Sequence, residues 1–240
     1  MIEVSSLAKS FSGTPAVADV SFTAGDGEVT GLLGPNGAGK TTTLRILSTI
    51  LRADAGTANV DGLDCAKHAT DVRRRLGVVT AGAGLYPRLS AREHVFYYGR
   101  LHGLSESLLE ARCTKLADEL QMHDIIDRRV AGFSQGEKLK VNIARALVHD
   151  PRNVLLDEPT NGLDVIATRA MRGIIKSFRD QGRCVVVSTH VMQEVAALCD
   201  RIVIIAKGRV VADGSGDALL ARTSAASLED AFVSLVGGPT

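Results

Sequence analysis

The run Gly34-Pro35-Asn36-Gly37-Ala38-Gly39-Lys40-Thr41 constrains this chain more than any other eight residues, because it fits the pattern G-x-x-x-x-G-K-[ST] and has the flanks that pattern needs. A strand-like apolar segment, Val29 to Leu33, stands before it, and a helical pattern, Thr42 to Leu51, follows. Glycines at 34, 37 and 39 let the main chain wrap tightly, so that successive N–H groups point inward and the next helix adds the positive end of its dipole. The expected product is a phosphate cradle. Gly34 to Gly39 form its wall and Thr42 opens the helix behind it, while Lys40 carries a full charge to the β and γ phosphates and the Thr41 hydroxyl is placed to ligate Mg²⁺.

A phosphate cradle of this kind needs a parallel sheet, and the rest of the chain supplies one. Short apolar runs recur at Leu76 to Val79, Val154 to Leu156, Val185 to Ser188 and Ile202 to Ile205. Several are continuous rather than alternating, as expected of parallel strands covered on both faces. Helical patterns such as Ala167 to Arg179 lie between them, so the fold class is α/β. From about Ser90 to His149 the alternation stops, and three helices are expected in succession, at Ala91 to Leu101, Glu106 to Gln121 and Glu137 to Val148. We read this as a helical subdomain, about 86–149, inserted into a core of residues 1–85 and 150–220. A tail, 221–240, carries a short amphipathic helix at Ser227 to Val236.

Phosphate hydrolysis also requires a carboxylate near the metal and a group to direct water, both at the end of a neighbouring strand. Asn153-Val154-Leu155-Leu156-Asp157-Glu158 has that form. Asp157 is the candidate metal ligand, with Thr41, and Glu158 the candidate general base. Alone, two acids after an apolar strand are more often a solvated strand end; the phosphate loop reverses that expectation.

Composition removes several functions. Lys and Arg total 28 against 27 Asp and Glu, so bulk charge cannot hold nucleic acid. Cys65, Cys113, Cys184 and Cys199 lack the short spacings of a zinc or redox site, and a reduced compartment is expected. The start of the chain has no apolar leader pattern, and its apolar runs fall short of the roughly 20 residues a bilayer requires. Membrane work would therefore need other subunits.

In order and spacing, Phe133-Ser134-Gln135-Gly136-Glu137, Val141-Asn142-Ile143-Ala144-Arg145-Ala146-Leu147 and Leu155-Leu156-Asp157-Glu158-Pro159-Thr160-Asn161-Gly162-Leu163-Asp164 resemble ABC ATPases over nearly the whole chain. The resemblance implies a P-loop NTPase core with N-terminal antiparallel strands, ATP and Mg²⁺ as cofactors, and ATP hydrolysis. Ser134 and Gly136 match the Ser and second Gly of the family's LSGGQ signature, which contacts the γ-phosphate held by a second copy; a homodimer is the expected working form. Asp164 matches the D loop that crosses the dimer seam, and His190, ending Val186-Val187-Ser188-Thr189-His190, matches the switch histidine, a second catalytic residue beside Glu158. Phe11 falls where the family stacks an aromatic ring on adenine. Taken alone, Ser134 is also an ordinary helix cap, with Glu137 completing a capping box.

Two departures from the family fall at three positions. Ala81 stands where a Gln follows the strand Leu76 to Thr80 and touches the metal, and Gln135 and Glu137 replace the signature's first Gly and its Gln. Gly84-Leu85-Tyr86-Pro87-Arg88-Leu89-Ser90-Ala91-Arg92-Glu93 and Ser227-Leu228-Glu229-Asp230-Ala231-Phe232 are similar to exporter ATPases of the NatA and DrrA kind. That likeness implies an integral membrane permease subunit as partner, a peripheral place on the cytoplasmic face of the membrane with solubility when isolated, and extrusion of a drug or of Na⁺. Tyr86, Phe96, Tyr97 and Tyr98 lie in the stretch that receives the permease's coupling helix, although at least two of them are expected to fill the lobe's own core. Arg73-Arg74-Arg75 reads as a solvated helix face. The alternatives are a soluble ABC ATPase acting on ribosomes or DNA and a non-transport nucleotide-dependent regulator. A single motif set without heptads or cysteine pairs speaks against the first, and Glu158 with His190 against the second.

Overall fold

The computed structural model describes residues 1–80, 82 and 84–237, so Ala81, with its departure from the family, lies outside the described residues. Strands β1 (Ile2–Phe11), β2 (Thr14–Ala24) and β3 (Glu28–Leu33) lead into helix α1 (Lys40–Leu47), then β4 (Ala55–Val60), β5 (Leu63–Asp64), α2 (Ala69–Arg75) and β6 (Leu76–Val79). Helices α3 (Ala91–Leu101), α4 (Glu106–Glu119) and α5 (Gln135–Leu147) follow one another before β7 (Asn153–Asp157). Alternation resumes with α6 (Val165–Asp180), β8 (Cys184–Thr189), α7 (Met192–Leu198), β9 (Arg201–Ala206) and β10 (Arg209–Gly214), and ends with α8 (Gly216–Thr223) and α9 (Leu228–Gly237).

These strands form one sheet in the order β5-β4-β1-β2-β10-β9-β3-β8-β7-β6. β6, β7, β8, β3 and β9 run parallel, whereas β1, β2, β4 and β5 pair antiparallel, as the family likeness implies. Burial explains the difference in sequence texture. Every residue of β7 and β8 is buried, giving continuous apolar runs, while β2 alternates because one face meets water.

The pleat divides the parallel strands between two cores. Val29, Leu156 and Val187 face a cluster that continues without a break into the lobe through Val141, Ile143 and Leu109. Leu32, Leu155 and Val186 point the other way, onto Leu44 and Leu47 of α1. A third cluster joins Leu33, Ile202 and Ile204 to Leu219 of α8 and Phe232 of α9.

Helix ends differ from the sequence expectation where the backbone turns left-handed. α1 stops at Leu47 because Ser48 caps it and Thr49 takes φ 63°, and Gln121, at φ 52°, follows the end of α4. α5 begins at Gln135, since the Ser134–Glu137 capping box includes that turn. Among the aromatics, Phe96 is buried and Tyr98 lies under the Arg145 guanidinium, 4.9 Å from its ring, while Tyr86 and Tyr97 remain exposed. Arg73, Arg74 and Arg75 are exposed at the end of α2. Where the lobe meets the sheet, His102 stacks on His149 with ring centroids 3.7 Å apart. Among the described residues no helix is long and apolar enough to cross a membrane.

Candidate functional site

Sheet register assembles the site. β3 pairs with β8 so that Leu33 lies opposite Thr189, and β7 pairs with β8 so that Asp157 lies opposite Ser188. The segments leaving β3, β7 and β8 at their carboxyl ends therefore open on one edge, where the neighbouring connections make a crevice.

Two glycines show why the loop after β3 has its composition. A Cβ on Gly34 would sit 2.2 Å from the Ile205 carbonyl oxygen. Gly39 adopts φ 108°, and a Cβ there would sit 2.6 Å from the Ala16 carbonyl oxygen. The β9–β10 turn braces the loop from outside, with Gly208 N donating to Ala38 O at 3.0 Å. Pro35, Asn36 and Gly37 stay exposed at the rim, and the side chains of Thr41 and Thr42 are half-buried at the start of α1.

Lys40 is buried at the foot of the loop, where its Nζ donates to Gly34 O at 2.7 Å and Pro35 O at 3.1 Å and stands 3.9 Å from Glu158 Oε1. Burial pushes its ammonium below the usual lysine range, against the opposing pull of Glu158 and Asp157. Thr41 Oγ1 donates to Asp157 Oδ1 at 3.2 Å, and the Ser188 hydroxyl donates to the same oxygen. His190 Nδ1 lies 2.7 Å from Glu158 Oε2. Glu158 itself holds φ 52°, anchored by its N–H to Ser188 O at 3.1 Å and Ser188 Oγ at 3.2 Å. A left-handed glutamate costs about 1–3 kcal/mol and persists only where its surroundings enforce it.

Lys40, Thr41, Asp157, Glu158 and His190 are thus brought together, with Ser188 added. Sequence reading gave Ser188 no role, because only the β7–β8 register places it on Asp157. The group combines a cation for phosphate, a hydroxyl–carboxylate pair of hard oxygen donors, and a carboxylate between an ammonium and an imidazole. Thr41 and Asp157 fit Mg²⁺, which takes oxygen ligands and completes its shell with water and substrate phosphate oxygens. No cluster of three His, Cys, Asp or Glu suited to a metal occurs among the described residues. A cavity of about 490 Å³ leads from Asp157 and Glu158 towards Gln135, Lys138 and Asn142 of α5.

The other predicted residues lie apart from that group. Ser134 Oγ accepts from Glu137 N at 3.2 Å and Ser134 N donates to Glu137 Oε2 at 2.7 Å, completing the capping box. The bond from the Ser134 main chain holds the Glu137 carboxyl below its ordinary range. A Cβ on Gly136 would meet only Ala167 Cβ, at an ordinary 3.5 Å. Asp164 caps α6 through Ala167 N at 2.8 Å, and Val165 and Ile166 beside it are 85% and 83% exposed. Phe11 ends β1, 46% exposed, with Lys9 Nζ 5.7 Å from its ring centroid. Among the described residues, no hydrogen bond or ion pair joins Ser134, Gly136, Asp164 or Phe11 to Lys40 or Glu158.

Residues 17–161 match the family described as ABC transporter. Over 220 residues, 91% of this chain and 89% of the relative, the sequence is 43% identical to the ABC transporter ATP-binding protein NatA of Bacillus subtilis. It is 39% identical to the daunorubicin/doxorubicin resistance ATP-binding protein DrrA of Streptomyces peucetius over 89% of this chain and 65% of that one. A solved structure of an ATP-binding subunit of an ABC transporter superposes with a TM-score of 0.88 at 30% identity, covering 98% of this chain and 99% of the other.

Proposed function

Because this chain belongs to the ABC transporter ATP-binding family, we propose that it hydrolyses ATP in a head-to-tail pair and drives an exporter whose membrane path is a separate permease subunit. The observation that carries the reading is the contact of Glu158 with both Lys40 and His190, beside the Thr41–Asp157 pair.

In this reading Lys40 turns from the loop carbonyls to the β and γ phosphates, and the N–H groups of residues 34–42 line the phosphate oxygens. Thr41 and Asp157 would hold Mg²⁺, which when bound offsets phosphate charge. Glu158 accepts a proton from the attacking water, and His190 holds the Glu158 carboxylate in place while facing the γ-phosphate. Ser134 and Gly136 of a second copy close the site from above, Asp164 lies on the seam, and Phe11 stacks on the base.

Hydrolysis removes the phosphate that bridges the two copies, so the nucleotide state sets the opening of the pair. Exposed Tyr86 and Tyr97 are the proposed landing place for the permease. The proposed cargo is a drug, as for the daunorubicin/doxorubicin resistance relative, or Na⁺. Ala81 leaves water to fill the place of the family's Gln, so turnover is expected in the natural chain and is to be compared with Ala81→Gln.

A phosphate-release assay tests the catalytic claim. Glu158→Gln should lower turnover by about 10²- to 10⁴-fold while ATP still binds. Equal turnover in the two proteins would remove Glu158 from the chemistry. Co-purification from solubilised membranes tests the permease: recovery of a multi-helix protein supports the exporter, and recovery of ribosomes or DNA instead overturns it.

A further inference from the structure

His190 leaves β8 on a turn held locally by one side-chain bond, from Val191 N to Thr189 Oγ1 at 3.0 Å. Val191 is the N-cap of α7, and no side chain caps that helix. The His190 side chain is 40% exposed. Beside that turn lies a cavity of about 240 Å³ whose lining includes Glu158, Asn161, Thr168, His190 and Glu194. Packing alone does not set where the imidazole stands.

A polar fork crosses beside that cavity. Glu194, in the first turn of α7, is 6% exposed, and both its oxygens face α6. Arg172 Nη2 donates to Glu194 Oε1 at 2.6 Å, and Arg172 Nε donates to Oε2 at 3.1 Å. A two-point guanidinium–carboxylate contact fixes angle as well as distance. On the far side, Arg172 sits eight residues along α6 from the Asp164 cap, about 12 Å of helix. A straight α6 therefore carries any displacement of its start to the fork.

We propose that Arg172 and Glu194 are positioning residues, whose fork ties the His190 turn to α6 so that the contact of His190 with Glu158 follows the position of the Asp164 end. This rests on the role given above to His190 and Glu158. A buried ion pair is a weak source of net stability, and an apolar pair of similar volume holds a fold as well. What the fork supplies that an apolar pair does not is direction.

The test uses the full chain with ¹³C-labelled histidine, comparing wild type, Arg172→Met and the double variant Arg172→Met with Glu194→Leu. Arg172→Met leaves a buried carboxylate without its partner and is expected to melt earlier. The double variant restores an apolar contact and should melt near the wild type. In both, the His190 ring resonance, assigned with His190→Gln, should shift or broaden while those of exposed His68 and His123 stay in place. In both, kcat should fall by about 10- to 100-fold with ATP affinity unchanged. A well-folded double variant with an unmoved His190 resonance, or with undiminished kcat, overturns the proposal. If the wild type itself releases no phosphate, the ATPase reading fails, and the resonance alone still decides whether the fork places His190.

Discussion

At the phosphate loop, the side chains assigned to ATP are bonded to one another across β3, β7, β8 and α1; at the start of α5, every bond of Ser134 is made within four residues. The first region is built by the sheet and is finished inside one chain. The second is a capped helix end that faces outward, and its own protomer asks nothing more of it. Under the proposed function the site is divided between two copies, and each half would be stable alone while the chemistry waits for the halves to meet.

Lys40→Met sharpens the contrast most. Loss of charge-assisted bonds to two phosphates should cost about 3 kcal/mol, roughly 100-fold in ATP affinity, read by titration of a fluorescent ATP analogue into dilute protein. Ser134→Ala in the same titration should bind as the wild type does. Equal weakening in both would mean that the two regions already act together in one chain.

Acid probes the joint between the regions. Burial, with the neighbouring His102, pushes the His149 imidazole down to about 4 from an ordinary 6.5. Neither ring nitrogen has a hydrogen bond of ordinary geometry, and the pull of the Leu76 backbone in the other direction does not offset burial. The unfolded chain therefore takes the proton first as pH falls, so stability present above pH 6.5 is lost between pH 6.5 and 4, by about 3 kcal/mol. His149→Phe keeps a ring against His102 and should flatten that part of the curve in urea titrations at pH 7 and 4.5. An unchanged slope would place the acid sensitivity elsewhere.

The two glycines should respond in opposite ways to one methyl group. Gly39→Ala combines φ 108° with a 2.6 Å approach to backbone and should cost about 1–3 kcal/mol. Gly136→Ala meets only an ordinary contact on a helical residue, so its unfolding free energy should hold or rise, by up to about 1 kcal/mol. Destabilisation at Gly136 would show that the lobe end is not free within its own protomer.

What was legible in the sequence follows the same division. Lys40, Thr41 and Ser134 sit in contiguous motifs whose spacing fixes their geometry, and Asp157 and Glu158 end a strand whose unbroken apolar run announces its burial. The parallel strands were readable for that reason, as was the succession α3, α4, α5. The contact of Ser188 with Asp157 was not, because it exists only through the pairing of strands 31 residues apart. Arg172 and Glu194 carry no motif and meet only when α6 and α7 pack. The left-handed backbone of Glu158 was hidden as well, since nothing in Asp-Glu-Pro predicts it. A helix at Ser227 to Val236 was expected, but its packing beside α8 onto Ile202 and Ile204 through Leu219, Leu228 and Phe232 exists only once the chain is folded.

Sedimentation of Glu158→Gln with saturating MgATP addresses the divided site most directly. A monomer is expected with ADP and a two-chain species with ATP, which Ser134→Arg abolishes without loss of nucleotide binding. A protein that holds ATP yet sediments as a single chain at every concentration would contradict that division.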